Sequence, residues 1–208
     1  MTSGLRFPAA ARVVAGLIAL AAITGEVLFF EANRAVVGGD RLAALWEIAA
    51  YLTDWSNVAV ALLFAGAALG VPQFQRGAAL GVGVTILLAV GIGYAALGGW
   101  SGLADKALTD ILTHVVTPWA CLVFWVAFVR PPGIDLKAAA RWLIYPATYF
   151  AYAVVRSVSA GDWPYPFMDP AKVGWIGVLG FSLGMTALAG VIGLAFVGLA
   201  RLQSRARR

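Results

Sequence analysis

The chain has 208 residues, 62% hydrophobic and 12% charged, with a formal net charge of +5 and a mean hydropathy of +0.86. Soluble domains are about half apolar and about a quarter charged, so both a water-soluble globule and a disordered chain are excluded. A single Cys, Cys121, excludes an internal disulfide, and a single His, His114, argues against a metal centre, which takes three or four ligands. No cofactor and no nucleic-acid partner are expected. Four of the positive charges, Arg201, Arg205, Arg207 and Arg208, sit in the tail, where membrane proteins place anchoring charge.

Apolar runs of ~20 residues are long enough to cross a hydrocarbon core as helix. In chain order they predict six spans, at 10–31, 44–70, 76–98, 107–129, 138–158 and 174–200. The expected fold is therefore an all-α integral membrane protein, one six-helix bundle over 1–208. The first run is too long for a signal peptide and is expected to stay as a helix. With the N-terminus inside, the inner side carries Arg6, Arg12, Arg76, Arg130, Lys137, Arg141 and the four tail arginines. The outer side carries only Arg34, Arg41, Lys106, Arg156 and Lys172. That bias places both termini in the cytoplasm, with the chain in the cytoplasmic (inner) membrane. "RPPGID" (130–135) predicts a sharp turn. Gly77, Gly81, Thr85, Ala89 and Gly93 form a stripe of small residues, as do Gly177, Gly180 and Gly184; both read as helix-packing faces.

Polar residues inside spans are expensive and tend to serve function. Here they are Glu26, Glu47, Asp54, Asp110, His114 and Arg156, with Thr53 and Asn57 beside them. At 1.5 Å per residue, Thr53 is expected ~14 Å along the second span, His114 ~10 Å along the fourth and Glu26 ~8 Å from the end of the first. All fall in the outer half of the bilayer. This predicts one pocket open to the outer face, not a polar path through the membrane. Thr53 and Asn57 share a helix face, as do Asp110 and His114. Tyr145, Tyr149, Tyr152 and Arg156 make a polar-edged stripe on the fifth span. Pro118 and Pro146 each free a backbone carbonyl and are expected to kink their helices.

A hydroxyl becomes a nucleophile when a base takes its proton, and His114 is the base suited to neutral pH. Asp110 is the nearest carboxylate to orient it, with Asp54 and Glu26 as rivals. Asn57 could polarise an oxyanion, and Arg156 could meet a carboxylate or phosphate, or simply pair with Glu26. "GWSG" (99–102) is similar to the Gly-x-Ser-Gly of rhomboid proteases, but Ser101 falls in a loop rather than at the start of a buried helix.

Three segments resemble one family. "YLTDWSN" (51–57), "LTHVVTPWACLVFW" (112–125) and "YPATYFAYAVVRSVSAGDWPYPFMD" (145–169) are similar, in order, to segments of the androgen-inducible and androgen-dependent membrane proteins and their bacterial six-pass relatives. Those proteins are threonine hydrolases of fatty acid esters of hydroxy fatty acids. The resemblance implies that Thr53 is the nucleophile and His114 the catalytic base, with a lipid ester as substrate and membrane lipids as surroundings. Met168 and Asp169 depart from the family's Leu and Glu at the turn. Tyr149, Tyr152, Tyr165, Arg156 and Glu26 are the expected substrate-binding residues. The alternative is a non-enzymatic lipid or small-molecule binding or transport protein. It would use the same pocket and depend on Arg156 and Glu26.

Overall fold

The structure is a computed structural model and describes residues 6–130 and 133–205. Pro131 and Pro132 of the expected turn, and Arg207 and Arg208 of the tail, lie outside the described residues. Among those described every regular element is helical. The helices are α1 (Ala9–Val36), α2 (Arg41–Ile48), α3 (Leu52–Ala68), α4 (Gly77–Ala96), α5 (Leu108–Phe128), α6 (Leu136–Trp142), α7 (Ile144–Ala160) and α8 (Pro170–Arg205). α1, α4, α5 and α8 are each long and apolar enough to cross a membrane. α2 and α3 together satisfy the same test but are bent by 98°. These helices mark a multi-pass membrane protein.

Two expected spans are broken. The run 44–70 divides at Ala49–Tyr51, and α2 begins three residues earlier than expected, at Arg41. Asp40 caps it, accepting from the N–H of Leu42 at 2.8 Å and of Ala43 at 3.1 Å. The run 138–158 divides at Leu143. Pro146 falls in the first turn of α7, where its missing N–H would have had no intrahelical partner, so it starts a helix rather than kinking one. α1 runs to Val36, beyond the expected end, which puts Glu26 ~15 Å from the helix terminus.

α1 and α3 lie antiparallel. Gly16 meets Ala68 near one end, and Gly25 meets Leu112 and Thr113 of α5 near the other. A Cβ on Gly25 would sit 2.7 Å from the Thr113 methyl, so only glycine allows this approach. α4 is the most buried helix and the centre of the bundle. Its small-residue stripe packs as expected: Gly77 against Val129 and Ile134, Gly81 under the Trp142 indole, Gly93 near Met185. Trp142 also donates its ring N–H to the Ala78 carbonyl at 2.9 Å. By contrast a Cβ at Gly180 or Gly184 of α8 would meet nothing within 4 Å, and one at Gly177 only the Val173 side chain of the same helix. Among the described residues that second stripe packs against no other helix.

Gly81→Leu tests the central packing. The new side chain overlaps the Trp142 ring, and overpacking a tight core costs about 1–3 kcal/mol. A clear fall in the melting temperature of detergent-solubilised protein is expected. An unchanged melting curve would show that Trp142 can move aside at no cost.

Candidate active site

The break between α2 and α3 sets the position of Thr53. The residues that open "YLTDWSN" are not mid-helix. Tyr51 precedes α3, and Thr53 is its second residue. Non-helical backbone at membrane depth is tolerated only where protein satisfies its polar groups. Here side chains from α3, α7 and the following loop do so. The Tyr149 hydroxyl donates to the Ala50 carbonyl at 2.6 Å, and the Tyr152 hydroxyl to the Ala49 carbonyl at 3.0 Å. The Trp55 ring N–H donates to the same Ala49 carbonyl at 2.8 Å. The Leu52 N–H donates to the Tyr165 hydroxyl oxygen at 3.0 Å. Arg156 donates from Nη2 to the Trp46 carbonyl at 2.9 Å and lies over the Trp46 ring at 4.6 Å.

Tyr149, Tyr152 and Arg156, expected to bind substrate, therefore hold the break. The polar stripe on α7 reads main chain because the bend exposes carbonyls there. Tyr149→Phe leaves the buried Ala50 carbonyl without this donor, a loss of about 1–3 kcal/mol. The expected result is a lower melting temperature and weaker activity together. Lost activity at unchanged stability would instead return Tyr149 to a substrate-binding role.

The second device is in α5. Residues Leu112–Val116 form a π-helical turn, with Pro118 just beyond it. Proline at 118 cannot bond the carbonyl of residue 114, and the turn absorbs the mismatch with one extra residue. Such turns are frequent at functional sites. Gly91 of α4 lets Pro118 and the His114 carbonyl come close, at 3.0 Å and 3.2 Å from where a Cβ would stand.

These two devices bring Thr53 and His114 together, with Oγ1 3.3 Å from Nε2. The other ring nitrogen, Nδ1, lies 3.0 Å from Thr113 Oγ1 and 3.3 Å from the Asp110 carbonyl oxygen. A carbonyl only accepts, and the Thr113 hydroxyl already gives its proton to the Thr109 carbonyl at 2.9 Å. The proton therefore sits on Nδ1, and the Nε2 lone pair faces the Thr53 hydroxyl. Tyr94 stacks on the imidazole, ring centroids 4.2 Å apart.

Several expected supporting roles shift. The Asp110 carboxylate is 3.8 Å from Nδ1 and 41% exposed, so its main-chain carbonyl orients the ring more directly than its side chain does. Asn57 does not aim at an oxyanion. Its amide donates to the carbonyls of Thr53 at 3.0 Å and Thr113 at 3.4 Å, stitching α3 to the π turn. Asp54 lies beside Glu26 of α1, with which it lines a cavity of about 170 Å³, and it also lines a second cavity together with Thr53 and His114. Glu26 and Arg156 form no ion pair among the described residues. Donors free to meet an oxyanion are the first-turn amides of Thr53 and Asp54, which have no backbone acceptor among the described residues. The Tyr165 hydroxyl is a third, and burial raises its pKa and keeps it protonated.

Two cavities meet at this dyad. One, of about 440 Å³, is apolar, with Val90, Phe150, Phe181 and Leu188 in its walls. The other, of about 240 Å³, is more polar and includes Tyr51, Thr109 and Asp110. Thr53, His114 and Tyr165 belong to both. Tyr94 and Thr113 were not anticipated; one lies near the end of an apolar helix and the other reads as an ordinary helix threonine, so neither carried a signal. Ser101 is exposed in the α4–α5 loop, without a hydrogen bond to His114 among the described residues. Among those residues no group of three or more His, Cys, Asp or Glu side chains could hold a metal. No protein-family model matches this chain, and neither a curated protein nor a solved structure is significantly similar to it.

Proposed function

We propose that the protein is an intramembrane lipid-ester hydrolase with Thr53 as nucleophile and His114 as general base. The observation that carries this reading is the Thr53 hydroxyl 3.3 Å from His114 Nε2, where an apolar and a polar cavity meet. His114 Nε2 takes the hydroxyl proton as Oγ1 attacks the ester carbonyl carbon. The tetrahedral oxyanion is met by the α3 first-turn amides and the Tyr165 hydroxyl. The imidazolium returns its proton to the departing alkoxide, leaving an acyl-threonine. Water, deprotonated by His114, then releases the acid. The acyl chain lies in the apolar cavity and the alcohol portion on the polar side. Fatty acid esters of hydroxy fatty acids, or related lipid esters, suit this division.

The accompanying topology is six crossings of the cytoplasmic membrane, with the bent α2–α3 pair and the divided α6–α7 pair each counted once. Both termini lie on the cytoplasmic side and the dyad nearer the outer face. The binding-protein alternative has less support because neither Arg156, which donates from Nη2 to the Trp46 carbonyl, nor Glu26 lines the large cavity.

The test uses purified protein in detergent, a fluorophosphonate probe and a panel of lipid esters. Mass spectrometry of the labelled protein should place the adduct on Thr53, and at least one ester should turn over. A protein that neither labels nor hydrolyses any ester is not this enzyme. Gly93→Leu adds a side chain to the wall of the apolar cavity. It should shift preference toward shorter acyl chains, read as the ratio of kcat/KM between a short and a long ester; an unchanged ratio would place the acyl chain elsewhere.

A further inference from the structure

Far from Thr53, at the opposite end of α3, a cavity of about 230 Å³ lies among Arg6, Arg76 and Arg130. Three separate chain segments supply these arginines: the approach to α1, the approach to α4 and the exit from α5. No carboxylate lines the cavity, and none pairs with any of the three among the described residues. Charge bias alone explains arginines at a membrane surface, but not their convergence on one built pocket.

The pocket floor is buried and hydrogen-bonded. The Phe7 N–H donates to Gln75 Oε1 at 3.1 Å, and Gln75 Nε2 donates to the Ala67 carbonyl at 3.0 Å. Phe7 and Gln75 are both buried. Gly77 lets the start of α4 press on Val129 and Ile134, which a Cβ would approach to 2.8 Å. The starts of α1 and α4, at Pro8 and Arg76, both face this region, with no capping side chain and no acid in either first turn. The first-turn amides that have no backbone acceptor among the described residues add to the positive potential. Phe7, Pro8 and Phe128 supply an apolar wall beside the cations.

We infer that this pocket binds a phosphate group, carried by an anionic membrane phospholipid or free in solution. Guanidinium groups match phosphate oxygens in geometry, and the apolar wall suits the glycerol and first methylenes of a lipid. The site is independent of Thr53 and of the hydrolase reading.

The experiment titrates the detergent-solubilised full chain with dioleoylphosphatidylglycerol and, separately, dioleoylphosphatidylcholine. Bound lipid is read by native mass spectrometry. Wild type should retain phosphatidylglycerol preferentially. Arg76→Gln with Arg130→Gln should weaken that binding roughly 30-fold, from about 1 kcal/mol per arginine near an anionic lipid. Arg201→Gln with Arg205→Gln removes the same charge from the tail and should change it little. The single exposed change Arg130→Gln covers the case in which the double variant fails to fold; it should weaken binding roughly fivefold. Inorganic phosphate that displaces the lipid identifies a site open to free phosphate, and lipid binding unaffected by phosphate identifies the headgroup as the source. Equal loss in the tail variant, or no preference for phosphatidylglycerol with no phosphate effect on stability, overturns the inference.

Discussion

Thr53→Ala and His114→Ala are each expected to reduce ester hydrolysis by about 10⁴-fold or more, with folding intact, because the two groups act as one unit. The double variant should be little worse than either single one, for the same reason. Thr53→Ser keeps the hydroxyl at the same helix start and should retain activity. Asp110→Asn separates this geometry from a Ser-His-Asp arrangement, in which the equivalent change costs about 10⁴-fold. Here the Asp110 main-chain carbonyl lies 3.3 Å from Nδ1 and the carboxylate 3.8 Å away. The asparagine variant should therefore stay within about tenfold of wild type, since only a longer-range charge is removed. Steady-state kinetics with one lipid ester decides among these. A Thr53→Ala protein with wild-type turnover would end the nucleophile assignment, and a collapse in Asp110→Asn would restore the carboxylate as the partner of His114.

Pro118→Ala should be the most damaging change outside the dyad. The π turn at Leu112–Val116 places one extra residue in α5, and Pro118 is its local cause. Alanine restores the N–H that can bond the His114 carbonyl, so the helix can return to regular α register. One residue of register is ~100° of rotation, which would swing the imidazole away from Thr53 Oγ1. Misplacing a catalytic group by about 1 Å already costs up to 10²-fold. The expected outcome is a loss of kcat of that order or larger, with a stability equal to or above wild type, since a helix-breaking residue has been removed. A variant with normal kcat would mean that packing of Gly91 against this turn, not the proline, maintains the π geometry.

The residues of the site were legible as a set because polar groups are costly in an apolar chain and stand out. Thr53, Asp54, Asn57, Asp110 and His114 form one local cluster, with Glu26 behind it. Thr53 and His114 do lie together, but not by the expected helix depth. Thr53 starts a helix instead of lying ~14 Å along one. The break at Ala49–Tyr51 has no Pro or Gly to announce it. It is held by hydroxyls up to 113 positions away in sequence, which a local reading cannot see. The same holds for the partners of Tyr149, Tyr152, Arg156 and Asn57. Each is a polar side chain whose partner is a carbonyl, and carbonyls are uniform along a sequence until a fold exposes some of them.

What the sequence determined by itself is the class of molecule: an apolar, helical, multi-pass chain with a few polar residues gathered near one level. Composition and run length suffice for that, because the hydrophobic effect depends on area and not on arrangement. Which polar group faces which was decided only by tertiary structure. Two short departures from regular helix, the α2–α3 break and the π turn of α5, aim the Thr53 hydroxyl at the His114 lone pair. Each is stable only because distant groups satisfy or pack around the backbone it disturbs.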